Sequence, residues 1–280
     1  MKPPFGASRS NKTLSGTGLL YASPGGRSIA YRTAGKGPPL VLLHGFLCDS
    51  RCWRPQLEGL ANRFTLVAWD APGAGSSPDP PDPFTVADWA SILAEFLDSI
   101  RIERAHVLGL SWGGLLAQEL YRLYPTRVDH LVLADTYAGW KGSLPEDMVE
   151  KRRARCYRDA SRPGKEVVAE WVPAEFFLDA SQQLAAEMAT IAADFHPLGF
   201  RLMAKSLADT DTTAVLATIK VPTLLLWGDG DRRSPLSVAG QFHAAIPGSE
   251  LRVILGAGHV SNMEKPDDFN ANVRRFLLGA

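Results

Sequence analysis

The stretch Ala105-His106-Val107-Leu108-Gly109-Leu110-Ser111-Trp112-Gly113-Gly114 places a short apolar run directly before a Gly-x-Ser-x-Gly pentapeptide, and a helical pattern continues from it to Tyr124. A strand, a sharp turn carrying serine and a helix, in this order, are typical of a nucleophile elbow. The turn is tight, so small residues are needed two positions before and after the serine. The Ser111 hydroxyl would then lie at the positive end of a helix, where developing negative charge is stabilised. The motif predicts a nucleophilic serine.

Composition is that of an ordinary globular protein. The 280 residues suffice for one large domain or for a domain with a sizeable insertion. The formal net charge is +0, which argues against nucleic acid or an anionic membrane as a partner, because such binders usually carry a basic excess. No apolar stretch approaches the roughly 20 residues that span a bilayer.

The polar residues 1–15 are predicted to form a flexible lead-in, since they lack the hydrophobic segment of a secretion signal. The odd number of cysteines, three, does not predict a disulfide framework and favours a reducing, cytoplasmic location. Cys48 and Cys52 are close in sequence, but no second Cys/His pair stands at ligand spacing, so packed thiols and no metal are expected.

Short apolar runs alternate with longer amphipathic stretches in most of the chain. This alternation predicts a parallel sheet covered by helices on both faces, with a hairpin at one edge formed by Leu19–Tyr21 and Ile29–Arg32. Residues 136–218 break the rhythm, because they show no clear strand and carry helical patterns at Met148–Asp159, Lys165–Trp171 and Ser181–Ala193. We therefore expect a core of residues 16–135 and 219–280 and a helical lid of residues 136–218 over the carboxyl ends of the strands.

A serine hydroxyl needs a base, and six histidines are candidates. His259 follows the last predicted strand in Gly256-Ala257-Gly258-His259, a loop that could reach the elbow. The acid that orients the base could be Asp231, Asp229 or Asp135, since each follows a strand and each fits the chain order of serine, aspartate, histidine. Asp231 is preferred, then Asp229, then Asp135.

The segment His44-Gly45-Phe46 follows another strand. Gly45 permits an unusual backbone path, so the amide of Phe46 could face the serine. Together with the amide of Trp112 it would bind the oxyanion of a tetrahedral intermediate.

These motifs resemble the α/β-hydrolase fold family over about Leu19 to Leu278. The resemblance implies a mostly parallel eight-stranded sheet flanked by helices, with the lid inserted after the sixth strand. The family's spacing of Gly, two residues and Asp falls on Gly228 and Asp231, which implies Asp231 as the acid. Two positions depart from the family's pattern: Ala74 stands where histidine is frequent, and Trp112 where methionine is commoner.

Within this family the chain is most similar to 3-oxoadipate enol-lactonases and related small esterases. The segments that carry this likeness are Gly109–Gly114, Leu131–Thr136, Gly199–Asp211 and His259–Pro266.

Several aromatic residues of the predicted lid could line an apolar substrate pocket or simply pack the lid: Trp140, Trp171, Phe176, Phe177 and Phe195. The run Lys151, Arg152, Arg153 and Arg155 could attract a substrate carboxylate, although a solvated helix face is the more common use of such a run.

The sequence therefore predicts a cofactor-free serine hydrolase that cleaves a small, largely apolar carboxylic ester or lactone. Two alternatives use the same residues: a perhydrolase or haloperoxidase in which hydrogen peroxide attacks the acyl-enzyme, and a receptor that retains the triad with little turnover. A homodimer is left open.

Overall fold

The computed structural model describes residues 18–279, so the lead-in predicted for residues 1–15 lies outside the described residues. Eight strands form one sheet. Their bounds are β1 (Leu19–Ala22), β2 (Ile29–Ala34), β3 (Pro39–Leu43), β4 (Thr65–Trp69), β5 (Ala105–Leu110), β6 (Val128–Ala134), β7 (Thr223–Gly228) and β8 (Glu250–Ile254).

The spatial order of the strands is β1-β2-β4-β3-β5-β6-β7-β8. The pairs β1–β2 and β2–β4 are antiparallel, and the remaining pairs are parallel. The predicted eight-stranded, mostly parallel sheet is confirmed, with the hairpin at its edge. Strand β3 lies between β4 and β5, with Leu40 opposite both Leu66 and His106. The carboxyl ends of β3 and β5 therefore lie side by side, which brings the loop after β3 next to the elbow.

Eleven α-helices are found among the described residues. They are α1 (Arg54–Gly59), α2 (Val86–Ser99), α3 (Trp112–Leu123), α4 (Glu146–Asp159), α5 (Gly164–Trp171), α6 (Gln182–Ala193), α7 (Pro197–Asp209), α8 (Thr213–Leu216), α9 (Leu236–Ala245), α10 (Ser261–Glu264) and α11 (Pro266–Leu278). None of them is both long and apolar enough to cross a membrane.

Thr85 and Asp88 cap the amino end of helix α2. The Thr85 side chain accepts from the backbone N–H of Asp88, and the Asp88 carboxylate accepts from the backbone N–H of Thr85. This reciprocal pairing satisfies two amide groups that the first helical turn leaves without partners.

Helices α4 to α8 all lie between β6 and β7, within the segment predicted to be helical. The sequence patterns at Met148–Asp159, Lys165–Trp171 and Ser181–Ala193 correspond to α4, α5 and α6. No separate helix is predicted for residues 197–209, where α7 forms. Its apolar face is largely buried, with Phe200, Leu202 and Met203 at most 3% exposed. We call residues 136–222 the helical insert.

Candidate active site

Ser111 occupies the sharp turn between β5 and α3. Its φ of 54° and ψ of −116° are strained for a residue with a side chain. The glycines around it are required by close packing: a Cβ on Gly109 would lie 2.3 Å from the carbonyl oxygen of Gly113, and a Cβ on Gly113 would lie 2.1 Å from that of Leu43. The strained turn is therefore stabilised by the strands and helix that surround it.

His259 lies in the loop after β8, directly against the elbow. Its Nε2 is 2.8 Å from the Ser111 Oγ, and its Nδ1 is 2.8 Å from the Asp231 Oδ2. A carboxylate only accepts hydrogen bonds, so Nδ1–H of the neutral ring donates to Asp231 and Nε2 accepts the Ser111 hydroxyl. All three side chains are buried, with Ser111 4%, Asp231 5% and His259 3% exposed. The structure thus joins the three predicted residues in one hydrogen-bonded chain.

Asp231 is held by the backbone of its own loop. Its Oδ1 accepts from the N–H groups of Arg233 at 2.8 Å and Ser234 at 2.9 Å, which leaves Oδ2 for His259. These bonds fix the orientation of the carboxylate, with Oδ2 directed at His259.

The other two candidate aspartates have different contacts. Asp229 is exposed, and its Oδ1 accepts from the N–H groups of Gly256 and Ala257, which shapes the start of the His259 loop. Asp135 is fully buried; it accepts from Gly228 N–H at 2.8 Å and from the Ser261 hydroxyl at 2.5 Å. Burial, and then the charge of Asp231, raises the pKa of Asp135 well above its usual range. Neither aspartate has a hydrogen bond to His259 in the described part of the chain.

Burial also sets the protonation of His259. It lowers the pKa of the imidazole, because the charged ring loses its hydration, while the adjacent Asp231 carboxylate acts in the opposite direction. Arg233 and Arg152 add a smaller lowering effect. The ring is therefore held in its neutral, proton-accepting form near neutral pH.

The loop after β3 passes directly beside the serine. A Cβ added to Gly45 would lie 3.3 Å from the Ser111 Cβ. His44 holds this loop, since its Nε2 accepts from the Ala71 N–H at 3.0 Å and its Nδ1–H donates to the Gly45 carbonyl at 2.8 Å. Burial lowers the pKa of His44, which agrees with a neutral ring that uses both nitrogens to hold backbone. His44 is thus a positioning residue that sequence reasoning did not identify.

Phe46 and Trp112, whose amides are the predicted oxyanion donors, both have buried side chains. The Phe46 ring stacks on Phe200 of α7, with centroids 4.4 Å apart. The Trp112 ring packs edge-on against Trp89, and its Nε1 donates to the Ser206 hydroxyl at 2.9 Å. Trp112 is the first residue of α3, a position whose N–H has no intrahelical acceptor. Both residues therefore link the elbow region to the helical insert.

The predicted pocket aromatics differ in their surroundings. Trp171 is 2% exposed and contacts Phe46; the guanidinium groups of Arg155 and Arg233 lie 4.3 and 5.0 Å from its ring centre. Trp140 is completely buried beside Arg152. Phe195 is partly exposed. It lines a small groove together with Leu47, Ala74, Ile191, Phe200 and Met203.

The backbone of Phe176 connects the helical insert to the His259 loop. Its carbonyl accepts from Val260 N–H at 3.0 Å, directly after His259. A Cβ on Gly258 would lie only 2.8 Å from the Phe177 carbonyl carbon, so the insert and the His259 loop are in close contact.

Glu264 joins the same two segments. Its Oε1 accepts from the N–H groups of Leu178 and Asp179, and its Oε2 accepts from Gly258 N–H at 2.6 Å. One carboxylate thus bonds both the insert and the loop that carries His259. The position five residues after His259 was part of the family likeness, but no role was predicted for it.

The arginine-rich run on α4 is divided by the fold. Lys151 and Arg153 form exposed or half-exposed ion pairs with Asp147 and Asp209. Arg152 and Arg155 turn inward instead. Arg152 donates to the Tyr137 hydroxyl and to the Arg233 carbonyl, and Arg155 forms an ion pair of 2.6 Å with Glu175. The expected solvated helix face therefore holds for Lys151 and Arg153 but not for Arg152 and Arg155.

The thiols of Cys48, Cys52 and Cys156 are buried and free. Burial raises the pKa of Cys156 to about 12, which makes its thiol unreactive near neutral pH.

Comparison with known proteins gives a family match over most of the chain. Residues 38–266 match the α/β hydrolase fold family. The dihydrolipoyllysine-residue acetyltransferase component of the acetoin cleaving system of Cupriavidus necator is 32% identical over 92% of this chain and 69% of that protein.

Two solved structures are similar over nearly their whole length. A thermophilic esterase from Thermogutta terrifontis, with malate bound, has a TM-score of 0.85 and 27% identity, covering 94% of this chain and 98% of that one. The enol-lactonase from Burkholderia xenovorans has a TM-score of 0.84 and 25% identity, covering 92% of this chain and 100% of that one.

Proposed function

Because the chain belongs to the α/β-hydrolase fold family and is a hydrolase, we propose that it cleaves a small, largely apolar carboxylic ester or lactone through an acyl-enzyme on Ser111. The observation that carries the proposal is the continuous hydrogen-bonded chain from the Ser111 Oγ through His259 to Asp231. Serine hydroxyls are weak nucleophiles, and this arrangement supplies both the base and the group that orients it.

In the first step the Ser111 Oγ attacks the substrate carbonyl carbon while His259 Nε2 takes the hydroxyl proton. Asp231 stabilises the imidazolium that forms and keeps Nδ1–H directed at its carboxylate. The tetrahedral intermediate collapses when the carbonyl–oxygen bond to the leaving alcohol breaks, and the imidazolium gives its proton to that oxygen. For a lactone, the released hydroxyl stays attached to the acyl group.

We assign stabilisation of the oxyanion to the amides of Phe46 and Trp112. The support is their placement: Trp112 N–H begins α3 directly after the nucleophile, and the Gly45–Phe46 backbone lies against Ser111. One such donor contributes about 100- to 1,000-fold to turnover.

In the second step water attacks the acyl carbon, and His259 accepts a proton from it. The Ser111 Oγ leaves with that proton, and the carboxylic acid is released. The proposed reaction uses the chain's own residues and needs no cofactor.

A small apolar substrate is favoured by the aromatic surroundings of the loop after β3, in which Phe46, Phe200 and Trp171 are in mutual contact. The esterase and enol-lactonase likenesses support the ester or lactone class. The helical insert would act as the lid, because its residues 176–179 cover the His259 loop.

The three free, buried thiols fit a reducing compartment, and we infer a cytoplasmic location on that basis.

The deciding experiment compares the wild type with Ser111→Ala on a panel of p-nitrophenyl esters, lactones and amides. We expect the variant to lose at least about 10⁴-fold in kcat on the best ester, while its far-UV circular dichroism and Tm stay close to the wild type. Ester turnover at the wild-type rate in the variant would exclude this mechanism.

Two further measurements on the wild type, one with hydrogen peroxide and one of the Tm, separate the two alternatives. Peracid formation from acetate and hydrogen peroxide that exceeds ester hydrolysis would indicate a perhydrolase. Binding of an ester with a rise in Tm but without multiple turnover would indicate a receptor.

A further inference from the structure

A second group of chemically active side chains lies at the opposite edge of the sheet from Ser111. His106 is near the amino end of β5, and Asp129 and His130 are near the amino end of the neighbouring strand β6. The two imidazole rings meet edge-on, with centroids 4.8 Å apart. None of these residues takes part in the proposed hydrolysis.

An irregularity in the strand pairing explains how all three side chains converge. Ala105 pairs with Val128 and Val107 pairs with Leu131, so Asp129 and His130 together lie opposite the single residue His106. Successive side chains of a regular strand point to opposite faces of the sheet. An extra residue in one strand interrupts this alternation and changes the direction of a side chain. The irregularity therefore lets the adjacent Asp129 and His130 approach the same ring.

The spacing of the donor atoms suits a metal ion. Asp129 Oδ2 lies 3.5 Å from the Nδ1 atom of His106 and 3.5 Å from that of His130. One ligand atom from each of the three residues lies within 4.8 Å of the other two. Tetrahedral zinc bonds of about 2.0–2.1 Å place neighbouring ligand atoms roughly 3.4 Å apart.

The Nδ1 atoms of His106 and His130 have no hydrogen-bond partner among the described residues. Both Nδ1 atoms are buried and make no hydrogen bond within residues 18–279. The His106 side chain is only 8% exposed. A buried nitrogen without a partner is unfavourable, and most such groups in native proteins are satisfied by protein, water or an ion.

We propose that His106, Asp129 and His130 bind a divalent transition-metal ion of the zinc type. Two imidazoles and one carboxylate favour zinc over magnesium or calcium, which prefer oxygen ligands. Arg104 supports the site, because it holds the other carboxylate oxygen, Asp129 Oδ1, at 2.9 Å and leaves Oδ2 facing the rings. The ion would cross-link the beginnings of β5 and β6 and so stabilise the sheet.

The test uses the full chain after EDTA treatment and dialysis, titrated with ZnCl₂ or MgCl₂. We expect Zn²⁺ to raise the Tm by roughly 5 °C once its free concentration is about 100 times its Kd, and Mg²⁺ to have no such effect. Titration with Co²⁺ should give the visible absorption of a nitrogen- and oxygen-ligated ion. That absorption should saturate at one Co²⁺ per protein chain.

Asp129→Asn and His130→Ala are the informative variants, because their side chains are partly exposed, at 39% and 26%, and the changes should leave the fold intact. Each should weaken Zn²⁺ binding by more than about 10-fold, since even partners outside the coordination shell contribute that much. His243→Ala, which removes an exposed histidine on α9, is the matched control and should bind as the wild type does.

An undiminished Zn²⁺ effect in Asp129→Asn and His130→Ala would overturn the proposal, because the ion would then bind elsewhere, for example at His259. Absence of any Zn²⁺ effect on the Tm or of a Co²⁺ spectrum in the wild type would overturn it as well.

Discussion

Phe46 and Phe200 stack with ring centroids 4.4 Å apart and planes inclined by 23°. Phe46 follows β3 beside the nucleophile, and Phe200 belongs to α7 of the helical insert. The position of the Phe46 amide, one of the proposed oxyanion donors, thus depends on packing against a segment about 150 residues away in the chain. The insert is expected to affect catalysis as well as substrate choice.

Phe200→Ala should therefore lower both stability and kcat. Loss of a buried phenylalanine destabilises a protein by about 3–5 kcal/mol, and the stacking contributes part of this. Loss of the stacking partner should let the Phe46 amide move and so reduce kcat on a p-nitrophenyl ester by roughly 10-fold. Phe200→Leu keeps most of the side-chain volume and should lose less stability and less kcat than Phe200→Ala. Urea unfolding and steady-state kinetics measure the two effects. If Phe200→Ala shows the expected destabilisation but an unchanged kcat, Phe200 does not position the oxyanion donor.

The three aspartates should differ in a definite order. Asp231→Asn removes the acceptor that fixes the His259 tautomer, and a loss of about 10⁴-fold in kcat is expected. Asp229→Asn and Asp135→Asn should each lose far less, because these residues bond only to neighbouring backbone amides and to Ser261. Kinetics of the three variants, each checked for folding by circular dichroism, decide the order. A larger loss in Asp135→Asn than in Asp231→Asn would reassign the acid.

The activity should rise with pH through the pKa of His259. Burial lowers this pKa below its usual value of about 6.5, so half of the maximal kcat/KM is expected below pH 6.5. The direction follows from the role of the ring: only neutral His259 accepts the Ser111 proton, and protonation at lower pH removes the base. A pH series with a p-nitrophenyl ester, followed at the isosbestic wavelength, measures the midpoint. A midpoint well above pH 7 would contradict a buried, neutral imidazole.

Glu264→Gln should loosen the contact between the insert and the His259 loop. The variant replaces a charged acceptor of three backbone N–H groups with a neutral one, and a loss of about 1–3 kcal/mol in the free energy of unfolding is expected. A decrease of roughly 10-fold in kcat/KM should accompany it. The matched control, Glu58→Gln, removes the same charge from an exposed pair with Arg54 and should change stability by less than about 0.5 kcal/mol. Equal effects in the two variants would leave Glu264 without a positioning role.

Most of the sheet was predictable, because continuous apolar runs such as Leu40–Leu43 become buried parallel strands wherever helices cover both faces. Helix α7 was not predicted as a separate element, although Pro197 at its start is a residue favoured at the first position of a helix. The pairing irregularity that brings Asp129 and His130 to His106 left no sequence signal either, because it depends on how β5 and β6 align in the folded sheet.

The amino-acid sequence by itself determined the elbow and its serine. The Gly-x-Ser-x-Gly pattern lies within five neighbouring residues between an apolar run and a helical pattern, so Gly109, Ser111 and Gly113 can be recognised from the sequence alone. Only the tertiary structure decided which aspartate meets His259, that Arg152 and Arg155 turn inward, and that Glu264 joins the insert to the histidine loop. These relationships depend on distances between side chains far apart in the chain, and the packing of the whole sheet and insert sets those distances.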